Sequence, residues 1–292
     1  MTTEIEARRR PTAGRLLPIS LEKVPWWALI LALIGLLIIY AMFTSEVYQD
    51  TFAFLREGLK LTVLITVVSF SIALVLGLIT GLGRVSKNPI LYTISTLYVE
   101  VVRGIPILVQ LIYVAFVVVP FGVRFFNGIG EFMLEHTSWQ PLINLALYLH
   151  SLDIKNVNMV VRGILGMAFA YGAYEAEVFR AGIQSIERGQ MEAARSLGMT
   201  YFQAMRYIIL PQAIRRILPP LGNDFISMLK DSSLLSALAV RELTQLGKLN
   251  RARTFRTFET WNTVALLYLM MTLLLSLGVK AMERRMAIGR ER

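Results

Sequence analysis

Residues 61–83 run for 23 positions without one charged side chain. As a helix such a run is about 34 Å long, enough to cross the ~30 Å hydrocarbon core of a bilayer. A soluble helix of that length would carry charged residues along one face, and this run carries none. Composition agrees: hydrophobic residues make up 55% of the 292, charged residues 17%, and the mean hydropathy is +0.56. Soluble domains hold roughly 45–50% and about 25%. Disordered, collagen-like and mucin-like classes are excluded by the same figures. Cysteine is absent, which removes disulfide frameworks, zinc fingers and thiol nucleophiles.

Five further spans are expected. Trp26 to Phe43 is an uncharged run of 18 behind Arg8, Arg9, Arg10, Arg15 and Lys23. A signal peptide has a shorter apolar core and a small-residue cleavage site; Tyr40-Ala-Met-Phe-Thr-Ser is a poor one, so this run is expected to be a retained anchor helix. A third span runs from near Ile90 to about Val119, interrupted by Glu100 and Arg103. A fourth covers about 157–180, a fifth about 219–240, and the sixth is Thr260 to Val279.

The net charge is +10. Basic residues gather on the cytoplasmic segments of membrane proteins, and no basic stripe with interleaved aromatics points to nucleic acid. Segments on the side of the two termini hold 18 basic residues and the opposite segments 8, so both termini are expected in the cytoplasm. The cluster Lys248, Arg251, Arg253 and Arg256 falls on the outer side, against this trend. Residues 120–156 read as a long outer loop, with a short amphipathic helix at Glu131-Phe-Met-Leu. Its two histidines, His136 and His150, lack a carboxylate cluster and read as surface residues rather than metal ligands.

Between spans four and five, residues 185–211 read as helix, turn, helix. Glu192-Ala-Ala-Arg-Ser-Leu forms helix well, and Gly198 stands at the expected C-terminal glycine cap. Thr200 and Gln203 make a capping box that opens a second helix. Phe202, Met205 and Ile209 share one face, and Pro211 is expected to end the helix at Leu210. Local chemistry leaves two readings open: docking into a groove of another protein, or a surface hairpin touching only its own chain or lipid headgroups.

Glu192-Ala193-Ala194, then Gly198, then Ile209-Leu210-Pro211 resembles the EAA signature of permease subunits in binding-protein-dependent ABC importers. Residues 98–111, 171–186 and 218–234 are similar to the polar amino-acid branch of that family, and the resemblance covers about 58–283. It implies an all-α integral membrane fold, a type I importer core of five helices, with residues 25–57 adding a sixth, N-terminal helix and outer linker. Residues 1–24 and 284–292 would be cytoplasmic tails, and 58–283 the permease domain with its coupling hairpin at 185–211. The resemblance further implies two ATPase subunits holding ATP and magnesium, a second permease (the same or a paralogue), an external amino-acid-binding protein, and residence in the cytoplasmic membrane. This chain would bind no cofactor itself: it holds no Gly-x-x-x-x-Gly-Lys-Ser/Thr loop, and Leu246-Gly-Lys-Leu is not one.

Charges within spans cost at least ~2.5–3.5 kcal/mol each on insertion scales and usually face a cavity or a partner. Asn223, Asp224, Lys230, Asp231 and Ser232 are candidates for the substrate path; the competing role is a packing ion pair among Asp224, Lys230 and Asp231. Glu100 and Arg103 can meet on one helix face, ahead of a kink at Gly104 and Pro106, either as structure or as path lining. The carbonyl freed near Val102 needs a partner. Glu177 and Arg180 form a second such pair, and Glu175 is a lone carboxylate without an evident role. Rival functions are the same machinery carrying an osmolyte or peptide, and a stand-alone channel or secondary transporter.

Overall fold

A computed structural model describes residues 26–136 and 139–287, so the basic N-terminal tail lies outside the described residues. The described chain is helical throughout, without strands. In order it comprises α1 (Trp26–Thr44), α2 (Glu46–Val85), α3 (Pro89–Gly104), α4 (Ile107–Tyr113), a π-helical turn Val114–Val118 and α5 (Val119–His136). Next come α6 (Gln140–His150), a 3-10 turn Ile154–Asn156, α7 (Met159–Gln184), α8 (Arg188–Ser196), α9 (Tyr201–Ala204) and a second π turn, Met205–Ile209. The chain closes with α10 (Leu210–Asp231), a 3-10 segment Ser232–Leu238, α11 (Leu243–Thr254) and α12 (Thr257–Ala287). Among the described residues, Glu46–Val85, Ile107–His136 and Thr257–Arg285 are long and apolar enough to cross a membrane outright. The other expected spans fall on α1, whose 19 residues carry no charge, on α7, and on α10 with its 3-10 extension.

The molecule is built around α2 and α7. Their backbones approach so closely at Gly77 and Gly81 that a Cβ on Gly77 would lie 2.4 Å from the Glu175 Cβ, and one on Gly81 would lie 2.9 Å from the Ala176 carbonyl. Glycine at these two positions lets packing replace the hydrophobic drive that lipid cannot supply. Ile65, Ala73, Leu111, Met167, Tyr171, Met228 and Leu235 fill the core between α2, α4, α7, α10 and the 3-10 segment. At one end Leu55 packs on Leu243, Leu246, Val264 and Leu267; at the other Ile186, Ile209, Ala213, Ile217 and Leu221 tie the 185–211 hairpin to the bundle. Outward faces are aliphatic: Leu36 of α1 is 63% exposed and Leu274 of α12 is 65% exposed. A surface of that kind requires lipid around it.

Three expectations are corrected here. The third span is broken, not kinked. Ile105 is extended at ψ 136° and Pro106 starts a new helix at Ile107. The freed carbonyls are taken by Gln110, whose Nε2 donates to Val102 O at 2.7 Å and Ile105 O at 2.6 Å. Second, most of 120–156 is a helical hairpin and not a loop. Val123, Asn127, Gly130 and Leu134 recur at helical spacing toward α6, and a Cβ on Gly130 would lie 2.7 Å from the Ala146 carbonyl. Arg162 secures the hairpin's base by donating to the carbonyls of Val157 and Ile154, each at 2.8 Å.

Third, Pro211 does not end a helix. Leu210 is helical at φ −61°, ψ −42°, and α10 continues through Pro211, Pro219 and Pro220 to Asp231. The preceding π turn, in which Leu210 N donates to Met205 O, shifts the hydrogen-bond register just before the proline ring. A bulge there relieves the clash that proline causes in an unbroken α-helix. The fifth span accordingly begins earlier than 219, and it ends at Ala239 in the left-handed region, φ 55°.

Candidate functional site

The hairpin forms as its local chemistry dictates. α8 closes in a Schellman cap: Met199 N donates to Ala194 O at 3.2 Å and Gly198 N to Arg195 O at 3.0 Å, with Gly198 at φ +82°. Thr200 then caps the next helix reciprocally with Gln203, through bonds of 2.8 and 3.2 Å. Ala194 is buried while Glu192 and Ala193 are exposed, so the Glu-Ala-Ala triplet sets one small residue inward and a carboxylate outward. Ile209 is 6% exposed and belongs to the core; Leu210 and Pro211 face outward. Phe202 does not share the buried face of Ile209, since it is 70% exposed. The extra residue of the π turn rotates the following helix by about one residue, or ~100°. Leu197, Tyr201 and Phe202 leave an outward apolar tip on the hairpin, which, like the exposed Glu192, nothing in the chain covers among the described residues.

A charge network sits above the hairpin. The Arg84 guanidinium, 12% exposed, donates to Glu177 at 2.8 Å and to Glu100 at 3.2 Å, joining α2, α7 and α3. Arg180 also donates to Glu177 and to Gln184. The expected Glu177–Arg180 pair is present. The Glu100–Arg103 pair is not: Glu100 turns to Arg84, and Arg103 lies over the Tyr174 ring, 5.6 Å from its centroid. Arg84 lies one helix away from both carboxylates, so spacing within a single helix carries no signal of it.

The antiparallel seam between α7 and α10 holds most of the path candidates. Asp231 accepts from the Tyr171 hydroxyl at 2.8 Å. Asp224 is half-buried. Glu175 is fully buried, with no hydrogen-bond partner on either carboxyl oxygen. Ser232 is buried and donates to Leu229 O at 2.7 Å. Asn223 and Lys230, seven residues apart, occupy the exposed face of α10. No ion pair links Asp224, Lys230 and Asp231 among the described residues, so the packing triad is absent: Asp224 and Asp231, seven apart, share one side of α10, whereas Lys230 stands about 100° away on its exposed face. Tyr171 and Gln110 carry no charge, so the ionisable residues within spans give no hint of them. Among the described residues, no three His, Asp or Glu side chains converge as a metal site. Leu246-Gly-Lys-Leu lies inside α11, with Gly247 packed near Val264 and Trp261, and cannot wrap a phosphate.

A family model described as "Binding-protein-dependent transport system inner membrane component" matches residues 73–288. The chain belongs to this family. It is therefore a membrane permease component, as distinct from the ATPase of such a system. It is 35% identical over 237 residues to the probable glutamine ABC transporter permease protein GlnM of Bacillus subtilis, covering 81% of this chain and 95% of that protein. It is also 35% identical over 234 residues to the glutamine transport system permease protein GlnP of Escherichia coli K12, covering 80% and 93%. A solved amino acid ABC transporter with histidines superposes with a TM-score of 0.63 at 34% identity, covering 80% of this chain and 94% of that one. The inward-facing MetNI methionine transporter shares the fold, with a TM-score of 0.60 at 20% identity.

Proposed function

We propose that this chain is the transmembrane subunit of an ATP-driven importer of polar amino acids, working as a pair of permeases on two ATPase subunits and fed by an external binding protein. ATP and magnesium belong to the ATPases. Both termini, including the tails outside the described residues, face the cytoplasm, which places the 185–211 hairpin on the ATPase side. The glutamine and amino-acid relatives support the substrate class.

The observation that carries the reading is the hairpin tip. Leu197, Tyr201 and Phe202 are exposed, as is Glu192, on two short helices joined through the Gly198 turn and the Thr200–Gln203 capping box. Such a knob transmits force to α10 through Ile209 and Ala213 without bending. ATPase closure would push on it and switch the path between outward- and inward-facing states, a two-state element biased from a second site. No covalent change in the substrate is required.

Mild-detergent affinity purification from native membranes tests this. An ATP-binding subunit should co-purify at near-equal stoichiometry with the wild-type chain and be depleted with Glu192→Lys. A chain that elutes alone in several gentle detergents would overturn the reading in favour of a channel or secondary transporter.

A further inference from the structure

The turn between α11 and α12 concentrates positive charge. Residues 241–259 hold five basic side chains and two acidic ones, at the end of the bundle opposite the 185–211 hairpin. One of the acids, Glu242, is buried as the cap of α11. The other, Glu259, makes no ion pair among the described residues. Under the proposed topology this is the outer face, where basic residues are normally sparse.

The turn is firmly built. α11 and α12 run antiparallel: the Thr244 and Tyr268 hydroxyls meet at 3.1 Å, and the buried Asn250 donates to Thr260 Oγ1 at 2.8 Å. Asn250 Oδ1 also accepts from Arg253, whose guanidinium lies 4.4 Å from the centroid of the Phe54 ring on α2. That bond leaves most of the Arg253 donors for a ligand. Arg251 is exposed and Arg256 partly so, and neither side chain has a hydrogen bond or ion pair among the described residues. Phe255 adopts φ 58°, ψ 8°, the left-handed conformation that closes α11. Glycine takes this conformation freely and phenylalanine does not. Packing does not compensate, since Phe255 is 87% exposed and Phe258 77%. Backbone strain retained around an uncovered ring points to a ligand.

The level of the turn selects that ligand. α12 is uncharged from Thr260 to Val279, a run of about 30 Å that fills the hydrocarbon layer. Because Asn250 is bonded to Thr260, residues 251–258 lie at the edge of that layer, among phospholipid headgroups. Exposed rings at this depth enter the acyl boundary, and guanidinium groups on the same turn meet phosphate through charge-assisted bonds. A soluble acidic protein would satisfy the arginines but not two rings at this depth.

We infer that residues 251–258 form a lipid-headgroup site, in which Arg251, Arg253 and Arg256 take the phosphate of an anionic phospholipid while Phe255 and Phe258 insert beside its acyl chains. The site pins the ends of α2, α11 and α12 to one leaflet. The inference uses the membrane placement of the family and is independent of the substrate carried.

The test titrates the full-length chain, purified in mild detergent, with phosphatidylglycerol and with phosphatidylcholine of identical acyl chains, counting bound lipid by native mass spectrometry. The wild type should prefer phosphatidylglycerol. Arg251→Gln combined with Arg256→Gln should lower that preference by about tenfold. Arg124→Gln combined with Lys155→Gln removes the same charge from exposed positions on and beside the α5–α6 hairpin, and should change it by less than about twofold. Phe255→Gly suits a φ of 58° and keeps the turn, but should weaken binding of both lipids by about fivefold or more. An unchanged preference in the first pair, an equal loss in the second, or undiminished binding by Phe255→Gly overturns the site. In proteoliposomes, the fluorescence added by Phe255→Trp should be quenched by brominated phospholipid. Quenching by aqueous acrylamide alone would place the ring in water, within reach of a soluble protein, and overturn the inference.

Discussion

Arg84 and Glu177, 93 residues apart, meet at 2.8 Å where α2 leaves the bundle beside α7. Because Glu177 also accepts from Arg180, one carboxylate restrains two guanidinium groups and Arg84 bridges on to Glu100. Removing Glu177 leaves the largely buried Arg84 without its best partner. Glu177→Gln should destabilise the detergent-solubilised protein by about 2 kcal/mol, since truncating one side of a buried pair costs more than the pair contributes. Glu100→Gln, whose side chain is 67% exposed, should cost under about 0.5 kcal/mol. Thermal unfolding of the two variants side by side checks the asymmetry.

Gln110 is expected to be a staple of the broken third span. It satisfies Val102 O and Ile105 O, while its own Oε1 is buried without a partner. Gln110→Leu should therefore cost about 1–3 kcal/mol: two carbonyls lose a donor, partly offset by relief of the orphaned oxygen. Accelerated amide exchange at 102–107 in the variant is the expected signature.

The α2–α7 crossing predicts a contrast between glycines. Gly77→Ala sets a Cβ 2.4 Å from the Glu175 Cβ and 3.0 Å from Ala176 N, so backbone has to move, and about 1–3 kcal/mol should be lost. A methyl added at Gly278, in α12, meets nothing within 4 Å, and Gly278→Ala should be neutral or stabilise by up to about 1 kcal/mol. Resistance to denaturant in mixed micelles would separate them.

At the hairpin, Gly198→Ala meets no neighbour within 4 Å, so its cost of about 1–2 kcal/mol comes from the φ of +82° alone. Gly198→Pro cannot reach that φ and should uncouple ATP-driven uptake while the chain still inserts. Uptake in proteoliposomes beside a membrane-insertion assay distinguishes coupling from folding.

Glu242 caps α11 outside the spans. Burial pushes its carboxyl above the ordinary value, opposed by hydrogen bonds from Thr244 N, Gln245 N and the Tyr268 hydroxyl. A raised folded-state pKa means the protonated form is favoured by folding. The associated stability is complete below the unfolded value near 4.5 and is lost as pH rises through the folded one. Thermal stability measured from pH 4.5 upward should fall more steeply in the wild type than in Glu242→Gln, which keeps a capping oxygen but no titration.

Local rules carried far into this molecule. The Thr200–Gln203 box, the Gly198 turn and the interruption at Gly104–Pro106 each depend on a few adjacent residues, so their neighbours in sequence were enough to place them. The Glu-Ala-Ala hairpin, and with it the family, was legible for the same reason. Tertiary structure alone decided which groups meet across helices: Arg84 with Glu177, Gln110 with the broken turn, Tyr171 with Asp231. It also kept α10 running through Pro211, behind a π turn that shifts the hydrogen-bond register while Ile209 and Ala213 pack into the core. Helix propensity and capping are settled within one turn of chain, whereas the direction in which a lone polar side chain points depends on the rotation of each helix. That rotation is fixed by close crossings such as Gly77 on Glu175, between residues no sequence window brings together.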